Sequence, residues 1–165
     1  MGRVGRCQPG QYRGTKVKNW PLTPDYPQSW ALGFALAIWI TGRVLPLGTA
    51  WLASVGWLIA LAALVIMIWA MVHFHRSKTS PNPFGQPSAL ITDGPFRWSR
   101  NPIYLADAAL LTGLCLAFRA LPALVLIPVF VAIINRRFIA PEEARLATAF
   151  PAGFAAYANR VRRWL

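Results

Sequence analysis

Apolar positions in this chain come in long blocks rather than at every second or fourth residue, and the polar positions fall between the blocks. The first block, Trp30–Leu47, is interrupted late by Arg43 and Pro46, and Gly48-Thr49 predicts a tight turn after it. The second, Trp51–Phe74, would span about 36 Å as a helix, enough to cross a bilayer with some tilt. His75 to Asn101 is polar and holds six prolines or glycines. It cannot be helical throughout, and irregular backbone facing lipid is excluded, so it belongs outside the hydrocarbon. The third and fourth blocks, Ile103–Phe118 and Leu121–Ile134, are joined by an Arg119-Ala120 hairpin. Pro122 lies near the start of the fourth, and Pro128 inside it predicts a kink. Both are shorter than the roughly 20 residues of a lone span, so they are expected to extend through Asn101–Tyr104 and Asn135–Ile139. The pattern predicts an all-α membrane protein with four transmembrane helices.

Composition agrees. Apolar residues make up 56% of the 165 positions and charged residues 13%, with eight tryptophans, which is too apolar for an ordinary soluble domain. Residues 1–28 read as a basic N-terminal tail and 29–165 as a single four-span domain. The net charge of +12 could suggest nucleic acid, but the basic residues sit between apolar blocks and leave no basic domain surface to hold a duplex. Their distribution speaks to orientation instead. The tail has five Lys or Arg, the segment 75–100 four and the C-terminal segment from Arg136 six, whereas the two opposite turns hold only Arg43 and Arg119. Fifteen against two places both termini and the long loop in the cytoplasm. The tail has neither the form of a secretory signal nor the Ser/Thr of a myristoylation signal. Cys7 and Cys115 suggest neither a disulfide nor a metal site.

One polar stretch is more informative than the rest: Gly94-Pro95-Phe96-Arg97-Trp98-Ser99-Arg100-Asn101-Pro102-Ile103-Tyr104. Beyond it, 38 residues after Tyr104, stand Glu142-Glu143, the only glutamates in the chain. The ordered set is Gly-Pro-Phe, Arg-Asn-Pro-x-Tyr, an apolar hairpin, Pro-Glu-Glu-x-x-Leu, then Tyr157 and Arg162-Arg163-Trp164. It resembles the isoprenylcysteine carboxyl methyltransferase and phospholipid methyltransferase family, integral membrane enzymes that use S-adenosyl-L-methionine, over roughly residues 73–165. The resemblance implies that Ser88, Ala89, Leu90 and Ile91, with Phe96 and Asn101, Pro102, Ile103 and Tyr104, line the cofactor pocket. It also implies that Glu142 is a cofactor-binding carboxylate, and that the connector loop and a C-terminal helix form the site. Gly94, Arg100 and Glu143 complete the expected cofactor set. The family often has His where this chain has Asn101, which cannot titrate. Its Phe-Gly-x-x-Tyr element is displaced here within Phe150–Tyr157, so no role is carried over to Phe150–Phe154.

The residue types suit that chemistry. A carboxylate suits ribose hydroxyls or an ammonium, an arginine suits a carboxylate bidentately, and an aromatic face tolerates a sulfonium. Plainer readings stand beside these. Pro141 followed by two acids is what the first turn of a helix prefers. Arg136 and Arg137 could anchor the chain to phosphates; we expect that role for one and a catalytic, substrate-orienting role for Arg137, following the resemblance. His73 and His75 lie about 200° apart around a helix and cannot share a metal ion, so they read as interfacial residues. Asp107, inside an apolar block, needs a partner or a part in the site. Gly113 reads as a helix-packing contact.

The expected acceptor is a lipid or prenylated molecule reaching the site from the bilayer. A carboxylate acceptor is already ionised at neutral pH, whereas an amine must first lose a proton to a base. Arginines outnumber uncommitted bases at this face, which favours the isoprenylcysteine-carboxylate type over a phospholipid amine. Two other classes stay open: a nicotinamide-dependent sterol-type reductase, and a non-enzymatic membrane adaptor.

Overall fold

A computed structural model describes residues 26–76 and 89–165. Every regular element among them is helical, apart from one isolated bridge between Leu47 and Ala120. Helix α1 covers Pro27–Val44, α2 Ala50–Arg76 and α3 Pro102–Ala117. A 3-10 turn at Leu121–Val125 leads into α4, Leu126–Ile134, followed by a π-helical turn at Asn135–Ile139 and then α5, Ala140–Ala149. Helix α6, Pro151–Arg160, closes the chain.

The first apolar block folds three residues earlier than its hydropathy predicts, because Pro27 supplies a helix-compatible φ at the start and Pro46 cannot continue a helix at the end. The third begins at Pro102, inside the expected extension. The fourth runs further than expected. From Leu121 to Ala149 the chain stays helical, and with α2 it is one of two stretches among the described residues long and apolar enough to cross a membrane. Helix α3 is apolar but has only 16 residues. Irregularity in the fourth helix falls before Pro128, as the 3-10 turn, and again before Pro141.

Small residues let α2 and α3 approach closely. A Cβ on Gly113 would lie 2.8 Å from both the Ala60 nitrogen and the Gly56 carbonyl oxygen, and one on Gly56 would strike the Ala117 nitrogen. Gly113 is thus the packing contact its sequence setting suggested. Main chains this close gain dispersion contacts that bulkier side chains would forbid. A first apolar cluster joins α1, α3 and α4 around Ile38, Tyr104, Leu111, Phe130 and Ile134. The outer face of α2, by contrast, is bare: Leu58, Leu61 and Ile68 are each more than 60% exposed. A row of that kind suits hydrocarbon rather than water.

The two short turns meet. The Leu121 N–H donates to the Leu47 carbonyl, and the Arg119 Nε–H to the Gly48 carbonyl at 2.8 Å. Antiparallel packing therefore sends the Gly94–Tyr104 loop, the glutamates and the C-terminal segment to the other end of the bundle.

Candidate active site

At that end the loop is built around Gly94, whose φ of 56° lies in the left-handed region. Its bare Cα rests against the His73 imidazole, where any Cβ would collide. His73 is itself fixed, Nδ1–H donating to the Trp69 carbonyl at 2.9 Å. After Gly94 the chain makes a 3-10 turn through Arg97 and buries Phe96, whose ring meets Phe74 edge-on at 5.4 Å. The Phe96 carbonyl accepts a 2.7 Å hydrogen bond from the Tyr157 hydroxyl. Burial pushes the Tyr157 pKa above its usual value, so the hydroxyl keeps the proton it donates. Leu90, Ile91, Ile103 and Phe154 join the same apolar cluster, which seats α6 against the end of α2. Ala89 is half-buried beside it, and Ser88 lies outside the described residues.

Three contacts strap the C-terminal segment across this loop, and a fourth ties it to the π turn. The Arg100 N–H donates to the Arg162 carbonyl at 3.0 Å. The Ser99 hydroxyl and Asn101 Nδ2 both donate to the Arg163 carbonyl, at 3.2 and 3.1 Å. Trp164 Nε1 donates to Asn135 Oδ1 at 3.1 Å. Asn101, one of the residues expected at the cofactor, uses its amide N–H₂ to hold the strap. Pro102 starts α3 and, like Asn101, is buried.

The glutamates divide. Pro141 has no N–H for the Arg137 carbonyl, and its ring would press on that oxygen in an α-helix. One wider turn relieves this, the Ala140 N–H reaching back to the Asn135 carbonyl five residues away. The inserted residue rotates all that follows by about 100°. The inward row Phe130, Ile134, Phe138 is then succeeded by the two carboxylates. Glu142 faces the Tyr104 hydroxyl on α3 within hydrogen-bonding reach, with Arg145 nearby. Glu143 turns to the strap. Arg163 Nε donates to its Oε1 at 3.2 Å and Nη2 to its Oε2, while Arg100 Nη1 lies 3.5 Å from Oε1. These bonds hold the Arg163 pKa above its usual value. The helix-start reading of Pro141-Glu142-Glu143 holds for α5, whose first turn carries both acids, although a π-helical turn leads directly into it.

Arg100, Asn101, Tyr104, Glu142 and Glu143 are thus brought together. Phe154 joins them, its ring 6.0 Å from the Arg100 guanidinium carbon, as does Arg163, to which no sequence argument assigned a role. Arg137 points elsewhere, over the Trp30 ring of α1 at 5.4 Å. Asp107 is buried one turn along α3 from Tyr104.

One polar atom in this cluster stands out. Arg100 Nε is buried and has no hydrogen-bond partner among the described residues. An orphaned charged donor is costly unless something else accepts from it. A carboxylate-bearing cofactor would supply the acceptor, and Glu142 offers the complementary anion.

No curated protein matches the chain. A family model does: phospholipid methyltransferase, over residues 51–153, which takes in α2, the Gly94–Tyr104 loop, α3, the broken fourth helix and both glutamates. With well over half of its length matched, the chain belongs to the phospholipid methyltransferase family.

Proposed function

We propose that this integral membrane methyltransferase takes its methyl group from S-adenosyl-L-methionine and delivers it to an acidic amphiphile of the isoprenylcysteine-carboxylate type. The reading includes four membrane passes, with both termini and the site on the cytoplasmic side. The observation that carries it is the buried Arg100 Nε, without a hydrogen-bond partner among the described residues, beside Glu143 and Phe154.

S-adenosylmethionine, when bound, supplies a methyl group on a cationic sulfur that is open to in-line attack. The chain's residues bind and orient. Arg100 donates to the carboxylate of the amino-acid end. Glu142, oriented by Tyr104, accepts from the ribose hydroxyls or the ammonium. Glu143 keeps Arg100 in place while neutralising Arg163. Ala89, Leu90, Ile91, Gly94, Phe96 and Ile103 shape the loop around those groups. Arg137 orients the acceptor oxyanion, which needs no base.

A second reading, methylation of a phospholipid amine, is favoured by the description of the matched family and by the buried Asp107 carboxylate. The family match counts against a reductase or an adaptor. Titration of the detergent-solubilised protein with S-adenosylmethionine and with a reduced nicotinamide dinucleotide tests the proposal. Saturable binding of the first alone, weakened in Arg100→Ala, is expected; binding of the second alone would overturn it.

A further inference from the structure

An open groove of about 420 Å³ runs along α1, lined by Ser29, Trp30, Gly33, Phe34 and Ala37, with Leu126 of α4 as its far wall. Positions 30, 33, 34 and 37 repeat at helical spacing and form one face. Two of them also support the bundle: Trp30 and Phe34 pack on the apolar cluster that contains Tyr104, and Phe34 meets Phe130 edge-on at 5.4 Å. Gly33 creates the hollow. A Cβ placed there finds nothing within 4 Å, so none of the described residues fills the space.

The two ends differ. At the end near the glutamates the groove begins at Ser29 and Trp30, with the Arg137 guanidinium carbon 5.4 Å from the indole centroid. The rest is apolar for about 12 Å along α1. A cation at one end of an apolar trough complements an amphiphile with an oxyanion head and one hydrocarbon chain. The bare face of α2 lacks this character, having no charged residue from Ala50 to His75.

We infer that the α1–α4 groove holds the hydrocarbon chain of the methyl acceptor, with its anionic head at Arg137, and that Gly33 sets the width of chain admitted. The inference rests on the proposed function for the identity of its ligand. Its volume lies within the range of small-molecule sites and suits one chain rather than a lipid pair.

Photolabelling tests it without requiring turnover. The full-length protein in detergent is irradiated with a long-chain fatty acid bearing a mid-chain diazirine, and with the corresponding neutral alcohol, and the adducts are mapped. Adducts are expected along residues 29–37 and at Leu126. Gly33→Leu should cut them by about tenfold, the equivalent of withdrawing two methylene groups from apolar contact. Arg137→Ala should reduce labelling by the acid and spare that by the alcohol. Even labelling over Leu58, Leu61 and Ile68 that ignores Gly33→Leu would overturn the inference, as ordinary surrounding lipid. So would crosslinking between copies across the groove. Where methyl transfer is measurable, Gly33→Leu should raise KM for a long-chain acceptor and leave a truncated acceptor and cofactor affinity unchanged. Loss of cofactor binding in the wild-type protein with groove labelling intact would sink the methyl-transfer reading alone.

Discussion

Arg163 lays its guanidinium against the Glu143 carboxylate in a two-point fork, tying the end of the chain to a helix that passed twenty residues earlier. Arg100 approaches the same carboxylate from the start of α3. One anion thus holds three segments: the motif loop, the fourth helix and the strap.

This sharing predicts non-additive stability. Removing either arginine leaves Glu143 one partner, whereas removing both leaves a mostly buried carboxylate unpaired. Arg100→Ala with Arg163→Ala should therefore destabilise the protein beyond the sum of the single changes by about 1–2 kcal/mol. Thermal unfolding in one detergent across the four proteins measures it, and additive losses would show that the two pairs are independent.

Glu142 carries a lighter structural load than Glu143, with the Tyr104 hydroxyl as its hydrogen-bonding neighbour across the interface. Glu142→Gln should weaken S-adenosylmethionine binding roughly ten- to a hundredfold, the loss of a charge-assisted hydrogen bond worth about 1.5–3 kcal/mol. Melting temperature should barely change. Calorimetric titration beside a thermal melt separates this from a helix-stability effect.

Arg100 and Arg137 should part company. Arg100→Ala weakens the cofactor, while Arg137→Ala spares it and abolishes turnover of a carboxylate acceptor. Arg137→Lys restores only part of that turnover, because a point charge cannot reproduce the guanidinium fork. Full methyl transfer by Arg137→Ala would shift the acceptor to an amine.

The contact between the Leu45–Thr49 and Phe118–Ala120 turns, together with a sequence that puts fifteen of its seventeen Lys and Arg in the tail, the long loop segment and the C-terminal segment, predicts topology. Tags at both termini should react only from the cytoplasm, and a tag at Arg119 only from the far side. Termini on opposite faces would rule out four passes.

Gly113 leaves no room for a side chain against the α2 backbone. Gly113→Leu should cost at least the roughly 1–3 kcal/mol of ordinary overpacking, because main chain cannot step aside. Aggregation or loss of the monodisperse detergent peak is the expected readout. Gly33→Leu, facing open space, should leave that peak intact.

What the chain determined by itself is what depends on local composition. Blocks of apolar residues specify helices and their approximate ends through hydrophobicity, while the starts at prolines 27, 102 and 151 are seen in the structure. The order of Gly94–Tyr104 and Pro141–Leu146 identified the family region. Tertiary structure decided the rest. Pro141 opens α5 as its sequence suggests, but that the chain before it is already helical, with a π turn joining the two helices, belongs to the packed structure. Glu142 and Glu143 are adjacent in sequence, yet the 100° step between helical neighbours sends one to α3 and the other to the strap. Their partners lie 38 positions before Glu142 and 20 after Glu143, and no spacing rule reaches that far. Arg163 comes to Glu143 only because Phe150-Pro151 breaks the helix and α6 docks through Phe154 and Tyr157 on the loop. The Asn101 amide donates to the Arg163 carbonyl, 62 positions on in the chain, which also accepts from Ser99. Long-range ion pairs and hydrogen bonds are set by where buried polar groups meet, which only the packed chain specifies.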